Sequence, residues 1–535
     1  MKKIGIILAY APEQSIKKEG IGRLLGFIIA GALRNKKTSI AVAVPLWYRG
    51  MLLDLLEDHG LNANDVEIIT TSRVPYLFRL RAWLFKDKAI KKNRLYKVLC
   101  KLKSIKDRSI YSFFVSWCNV SSLVELFYLT ILSIPLFLLA VPFLMVFGIY
   151  LTLVKFFPKL AGGNFSDKKV EVIKLLLDKN LFLLKHSARV TKLFDGVREK
   201  ELQKLMKILN KREDINSWFV PCLSWPELNQ LHKKKIVAAP DVIFIDFPTF
   251  FKDERYLQAY TKLNKTLEGA DRLICYSHYV KQAHLVKGLG IRENKIDIIE
   301  HGGIDLSIFL QGNSLNNTKI PTRDFAIQIL HDYQREALKK HSFLAQYNFS
   351  NMRYIFYSSQ IRPHKNVYSL LKVFNELIVN RGHFIKLILT GRLSEIGEIS
   401  EYISENNLQD HVLSLNNVPS PVLAALNHLA ICAVNPTFFE GGFPFTFSEA
   451  YSVGTPSVMG AIPVTLDKVI NPKLRKHMLF DPTNIEDMVE KIDWAIHHRD
   501  ELLMLQKPLY ERIHSRTWEM VANEYLQVFE DTENG

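Results

Sequence analysis

Cysteine is scarce and scattered in this 535-residue chain. Cys100, Cys118, Cys222, Cys275 and Cys432 are odd in number and form no C-x-x-C pair. That usage excludes a disulfide framework and a cysteine zinc site, and it fits a reducing cytoplasm. Acid is short as well: 70 Lys and Arg stand against 54 Asp and Glu, a formal charge of +16. The partners to weigh are therefore nucleic acid, an anionic membrane surface and a phosphate-bearing substrate. Short internal repeats and low-complexity tracts are absent. With 48% hydrophobic and 23% charged residues, a disordered chain is excluded and a packed core is possible. At about 100–200 residues per domain, the length implies two large domains or more.

The positive charge is concentrated. Twelve Lys and Arg lie between Arg79 and Arg108 against only Asp87 and Asp107, so these residues carry +10 of the total. Leu95, Val98, Leu99, Leu102 and Ile105 recur there at helical spacing. An apolar stripe backed by lysines suits a helix lying in a membrane interface, and equally a solvated helix packed on its own domain. The next segment separates the two. From Ser109 to Val154 the only charge is Glu125, and Leu126–Val154 has none. A bilayer span needs roughly 20 apolar residues, so this run reads as a membrane segment. It begins too far along the chain for a signal peptide. Both flanks are basic, which puts both ends on the cytoplasmic face of the cell (inner) membrane. The segment is then a hairpin around 109–154. It is either two passes or, the reading favoured here, a shallow re-entrant turn broken near Pro135 and Pro142.

Elsewhere the sequence alternates strands with helices. Lys3–Tyr10 is an apolar run, followed by a loop holding Gly20 and Gly22, the helix-like GRLLGFIIAGALRN and the apolar SIAVAVPLW. That is a βαβ unit, which implies a parallel sheet. An amphipathic helix is expected from about Asp167 to Asn210. The alternation resumes through KKIVAAPDVIFIDFP, DRLICYS and NKIDIIEHGGID, and a second series runs from NMRYIFYSSQ to TPSVMG. The fold class is α/β: two Rossmann-like domains facing a cleft, with a helical membrane-inserted hairpin in the first. The N-terminal domain covers 1–305 with the insertion at 79–165, a linker 306–350, the C-terminal domain 351–505, and C-terminal helices 506–535 return to the first domain. Ligands of such sheets bind at the carboxyl ends of the strands.

Several residues there suit phosphate chemistry. Lys365 follows a strand and precedes the helix VYSLLKVF, where anions are favoured. Arg362 lies in the same loop and offers a bidentate fork. Gly441 and Gly442 let backbone N–H groups approach a ligand closely.

Three motifs bear on identity: SSQIRPHKN with Lys365, TGR at Thr390–Arg392, and NPTFFEGGFPFTFSEAYSVGTPSV with Glu440 and Glu449. In this order and spacing the chain resembles the retaining glycosyltransferases of the GT-B fold in the glycogen-synthase-like superfamily (glycosyltransferase family 4). The resemblance covers most of the chain except about residues 79–165. It implies that Lys365 and Glu440 serve catalysis, with Arg362 in the same loop beside them, and it gives donor contacts to Glu449, Gly441, Gly442, Phe443, Gln360, Arg392, Gly20 and Gly22. Asp246 and His301 stand near positions where the family often has a histidine and an asparagine; both are expected to face the cleft, Asp246 as a catalytic residue and His301 as a donor contact. Glu440 would meet donor-sugar hydroxyls and Glu449 the ribose. Two positions depart from the family pattern. Eight residues separate Glu440 and Glu449 where seven are usual, and Gln360 stands five before Lys365 where arginine is common. Asp246 is read as ending a strand, and His301 as opening the turn HGG. His278 and His284 are read as surface residues.

The expected activity is membrane-associated, metal-independent, retaining transfer of a hexose from a nucleotide-diphosphate sugar to a lipid-linked or polysaccharide acceptor, as in lipopolysaccharide or capsule synthesis. No cofactor besides the donor is expected, and no metal, since no His/Asp cluster has ligand spacing. Nucleic acid is not an expected partner, because the basic stretch runs straight into a lipid-soluble one. The alternative is a catalytically degenerate GT-B scaffold in a glycan-assembly complex.

Overall fold

The computed structural model describes residues 2–12, 14, 20–35, 38–75, 78, 188–250, 254–311, 322–338, 344, 346–393 and 397–534. The basic stretch and the apolar segment 109–154 lie outside the described residues, as does the first part, 167–187, of the helix expected from 167. Among the described residues, no helix is long and apolar enough to cross a membrane. The chain divides into two compact units, 1–74 with 198–535 and 75–197. Both sheets belong to the first unit.

The N-terminal sheet is built from β1 (Lys2–Ile7), β2 (Thr38–Val44), β3 (Glu67–Thr70), β4 (Ser217–Val220), β5 (Lys234–Ala238), β6 (Arg272–Cys275) and β7 (Ile296–Ile298). All described pairings are parallel, in the order β3-β2-β1-β4-β5-β6-β7. Parallel strands are covered on both faces, which is why the runs IAVAV and IVA are continuously apolar and buried. Helices α1 (Gly20–Arg34), α2 (Arg49–Asp58), α3 (Ala188–Asn210) and α4 (Glu254–Glu268) accompany this sheet, with α5 (Arg323–Leu338) following it. The second sheet comprises β8 (Tyr354–Tyr357), β9 (Lys386–Leu389), β10 (Val412–Ser414), β11 (Ala433–Asn435), β12 (Ser457–Gly460) and β13 (Leu479–Phe480). Its order is β10-β9-β8-β11-β12-β13. Helices α6 (Val367–Val379), α7 (Gly397–Glu405), α8 (Ser420–Leu429), α9 (Phe445–Ser452), α10 (Pro463–Lys468), α11 (Pro472–Met478) and α12 (Ile485–His497) connect these strands, followed by α13 (Arg499–His514) and α14 (Trp518–Asn534).

In both sheets the chain starts in the middle and reverses direction, at β1/β4 in the first and at β8/β11 in the second. Loops on either side of such a switch point diverge and leave a crevice at the carboxyl edge. Helix α14 packs along α1, and its Val521, Ala522, Tyr525 and Phe529 complete the first domain's core.

Three local readings change. Gly20 and Gly22 lie in the first turn of α1 rather than in a preceding loop, because the apolar spacing of Leu24, Leu25, Ile28 and Ile29 already buries that face from the start. The 306–350 segment, read as a linker, carries α5, whose Ala326 and Leu330 are buried in a core shared with α8. Asp246 does not end a strand: β5 stops at Ala238, and residues 243–246 form a turn.

Gly5 in β1 lies opposite Trp218 in β4, and a Cβ there would stand 2.2 Å from the buried indole. Gly5→Ala should therefore cost about 1–3 kcal/mol by overpacking. The check is a thermal melt, in which the first transition should fall by several degrees, and an unchanged midpoint would contradict the packing described.

Candidate active site

Lys365 sits in the loop after β8 and Glu440 in the loop after β11, the two strands that flank the second switch point. A backbone clamp sets their spacing. The His364 carbonyl accepts hydrogen bonds from the Phe438 amide (2.8 Å) and from the Thr437 hydroxyl (3.1 Å). Asn366 adopts a left-handed conformation (φ 54°), which asparagine tolerates, and its side chain donates to the Pro482 carbonyl at 2.8 Å. Lys365 is thereby turned onto Glu440, its ammonium 2.5 Å from the carboxylate, with both side chains about four-fifths covered. A charge-assisted contact this short leaves each group oriented before any ligand arrives.

The first domain closes over this pair through glycine. A Cβ on Gly441 would fall 1.6 Å from the Pro240 carbonyl oxygen, and one on Gly442 would fall 2.8 Å from His301 Nε2. Ser277 Oγ donates to the Gly441 carbonyl at 2.8 Å. Gly441 thus admits the backbone of the opposite domain and Gly442 the His301 side chain, a tighter constraint than the ligand approach read from the sequence.

Glu449, on α9, is 3% exposed and receives an ion pair from Arg23 in the first turn of α1. Arg23 therefore joins the site, as the neighbour of the Gly20–Gly22 motif. Asp241, beside Pro240, joins as well. It is open to solvent at its own surface yet recessed among protein atoms. That desolvation raises its pKa, while Lys365 and Arg362 pull it down and Glu440 pushes it up.

Asp246 has a different setting. Its carboxylate accepts from Tyr279 OH at 3.2 Å and contacts His284 Nε2 at 2.9 Å. His284, read as a surface residue, is fully buried in a π-helical stretch (Val280–Gly288) and stacks on Phe439, next to Glu440. His278 is exposed. His301 lies between Tyr276 and Phe445, with ring centroids at 4.3 and 4.9 Å. Phe443 joins it in lining a cavity of about 300 Å³ with Lys468, Arg512 and Arg516. Gln360, Arg362 and Arg392 are exposed at the carboxyl edge of the second sheet, and Arg362 Nη2 reaches Gln360 Oε1 at 3.5 Å.

One His/Asp cluster does assemble, which sequence spacing did not reveal. His383, Asp493 and His497 bring ligand-type atoms within 4.8 Å of one another, from the turn after α6 and from α12. The 2.5 Å His383–Asp493 hydrogen bond accounts for the contact.

Residues 340–512, which span the second sheet, match the family model described as glycosyl transferases group 1. The whole described architecture has the two-domain GT-B fold of solved structures. One is HepE from Anabaena in complex with UDP-glucose, with 12% identity, TM-score 0.55, and 99% of this chain and 100% of that chain covered. Another is a mutant of TarM from S. aureus in complex with Fondaparinux, alpha-GlcNAc-glycerol and UDP, with 11% identity, TM-score 0.52, and coverage of 99% and 100%. The N-terminal domain of trehalose-6-phosphate phosphatase from Candida albicans is similar at 12% identity and TM-score 0.55, with coverage of 99% and 97%. At such identities the likeness is one of fold. No curated protein matches the chain.

Burial of the clamp has a consequence for pH. Desolvation holds His301 and His364 at about 3, with Arg516 lowering the first further and Lys365 and Arg362 the second. Unfolded, both would titrate near 6.5. Between these values the unfolded chain binds more protons, so stability present above pH 6.5 is lost as pH falls. Glu67 also has a lowered pKa, through its Arg212 hydrogen bonds, and the stability it contributes is fully present above its unfolded value of 4.5 and lost only as pH falls below it. The thermal midpoint should therefore decline from pH 6.5 to 4.5, and His301→Gln should flatten that decline in calorimetry at a series of pH values.

Proposed function

We propose that the protein is a membrane-associated, retaining glycosyltransferase. It moves a hexose from a nucleotide-diphosphate sugar to a lipid-linked or polysaccharide acceptor on the cytoplasmic face of the cell membrane, in synthesis of a cell-surface glycan such as lipopolysaccharide or capsule. The observation that carries this reading is the Lys365–Glu440 pair at the second switch point, faced by the Pro240–Asp241 loop of the other domain.

Breaking the anomeric bond loads negative charge on the departing diphosphate. Lys365 and Arg362 supply fixed positive charge at that point, beside the start of α6, so transition-state charge meets groups already oriented. Glu440 accepts hydrogen bonds from donor-sugar hydroxyls and, through Lys365, ties sugar position to phosphate position. Glu449 accepts from the ribose. Retention follows when the leaving phosphate takes the acceptor's proton on the face it departs from, a route requiring no separate base. Cationic side chains take the part a metal would otherwise play, and the donor is the only small molecule the reaction needs. The basic stretch 79–108 and the hairpin around 109–154 hold the enzyme where a lipid-linked acceptor is concentrated.

The degenerate-scaffold reading draws on Gln360 and the longer Glu440–Glu449 spacing, and it shares the fold but not turnover. Lys365→Ala should reduce transfer about 10²–10³-fold with an unchanged melt. Near-wild-type turnover would remove the assigned site, and absence of turnover in wild type with any donor would favour the scaffold. Proton couplings at the product's anomeric carbon should match the donor's, and inversion would refute the mechanism. Deleting 109–154 should move the protein from a carbonate-washed membrane pellet into the supernatant.

A further inference from the structure

The ion pair between Arg23 and Glu449 has no place in the bond-breaking chemistry of transfer. Arg23 belongs to the first domain and Glu449 to the second. The contact crosses the cleft between two groups that are about three-quarters covered and almost wholly covered, respectively. The start of α1 is aimed at the same place: a Cβ on Gly20 would lie 3.9 Å from the Phe445 ring, on the helix that carries Glu449. Further along α1, Phe27 stacks on Trp518 with centroids 4.5 Å apart, so the helix is fixed against α14 and cannot easily withdraw.

Charge makes this contact consequential. Asp241 and Glu440 lie close enough to feel each other's charge, with Lys365, Arg362 and His284 acting on Asp241 in the opposite sense, and Glu449 adds a third carboxylate through its contact with Arg23. Lys365 is already engaged by Glu440, and Gln360 adds no charge where arginine is common. A carboxylate left without a cation there would oppose entry of a diphosphate. Arg23 supplies a cation on the Glu449 side of the cleft. Among the described residues, its guanidinium makes its ion pair through Nη1 alone, and a guanidinium has five N–H donors in a planar fork. It can keep one edge on Glu449 and present another to an anion.

We infer that Arg23 is a donor-binding residue, contributed by the first domain, which grips the diphosphate of the nucleotide while holding Glu449 in position for the ribose. The inference rests on the nucleotide-sugar reading above and specifies which side of the cleft senses the phosphates. Donor binding then draws both domains onto one ligand, since the sugar and ribose contacts lie on the second and the guanidinium on the first.

Isothermal titration of the full chain with UDP, GDP and ADP, and then with the nucleoside of whichever binds, separates this role from a merely structural one. Loss of a bidentate charge-assisted contact should weaken the diphosphate about 10- to 100-fold in Arg23→Gln, with the nucleoside changed less than about 3-fold. Arg23→Lys should recover part of the diphosphate affinity, and the wild-type preference for diphosphate should fall with added salt more steeply than the variant's. Equal weakening of nucleoside and diphosphate, or no weakening of either, would overturn the inference and leave Arg23 as an interdomain tie. If the wild-type protein binds none of the three nucleotides, the nucleotide-sugar reading itself fails. If it binds one and Arg23→Gln binds it equally well, this inference alone fails.

Discussion

Close approach of two backbones governs the site. The Pro240 carbonyl stands where any side chain at position 441 would lie, so the loop carrying Glu440 closes on the first domain only because that position is glycine. The consequences run outward from there. Ser277 ties the same loop from the other side, Gly442 makes room for His301, and the His364 carbonyl fastens the Lys365 loop to residues 437 and 438. Lys365 and Glu440 are then within 2.5 Å without adjusting. Side chains with several rotatable bonds would lose entropy on forming such a contact from solution. Here the backbone has already fixed most of that freedom, so the pair stands oriented in advance.

The remaining polar groups divide by domain. On the proposed reading, the second domain supplies the groups that would meet a nucleotide-sugar along its length, with Lys365 and Arg362 for phosphate, Glu440 for sugar and Glu449 for ribose. The first domain contributes Arg23 and Asp241, which face these groups from across the cleft. Their charges are opposite, and so are their settings. Arg23 is paired, whereas Asp241 sits in a recess that disfavours its ionised form. A site assembled from two bodies in this way senses its ligand through interdomain contacts, and interfaces of that kind are where hinge closure is commonly read out.

Legibility in the sequence followed the range of the physics involved. The strands were readable because a doubly covered parallel sheet demands unbroken apolar runs such as IAVAV and YIFY, a purely local signature. Lys365 and Glu440 could be placed in loops after strands, and Glu449 on the following helix, because each lies beside a clear apolar run. Asp246 and His284 were misassigned for a complementary reason. The unbroken apolar run VIFI in DVIFIDF looks like a buried strand, yet the chain turns there, and Asp246 meets His284 and Tyr279, partners more than thirty residues away. The segment 306–350 looked like a linker because its polar residues outnumber its apolar ones. Ala326 and Leu330 are enough to seat α5 on the second domain's core.

By itself, the sequence determined the alternation of strands and helices that makes two parallel-sheet domains, and it placed Lys365 and Glu440 in loops that follow strands, because these features are set by patterns close along the chain. Only the tertiary structure decided that Gly441 and Gly442 serve the meeting of two domains, that Asp241 rather than Asp246 stands in the cleft beside Lys365, and that Arg23 reaches Glu449 across 426 positions of sequence. Those facts depend on which surfaces two sheets present to one another, and composition and local periodicity carry no record of that choice.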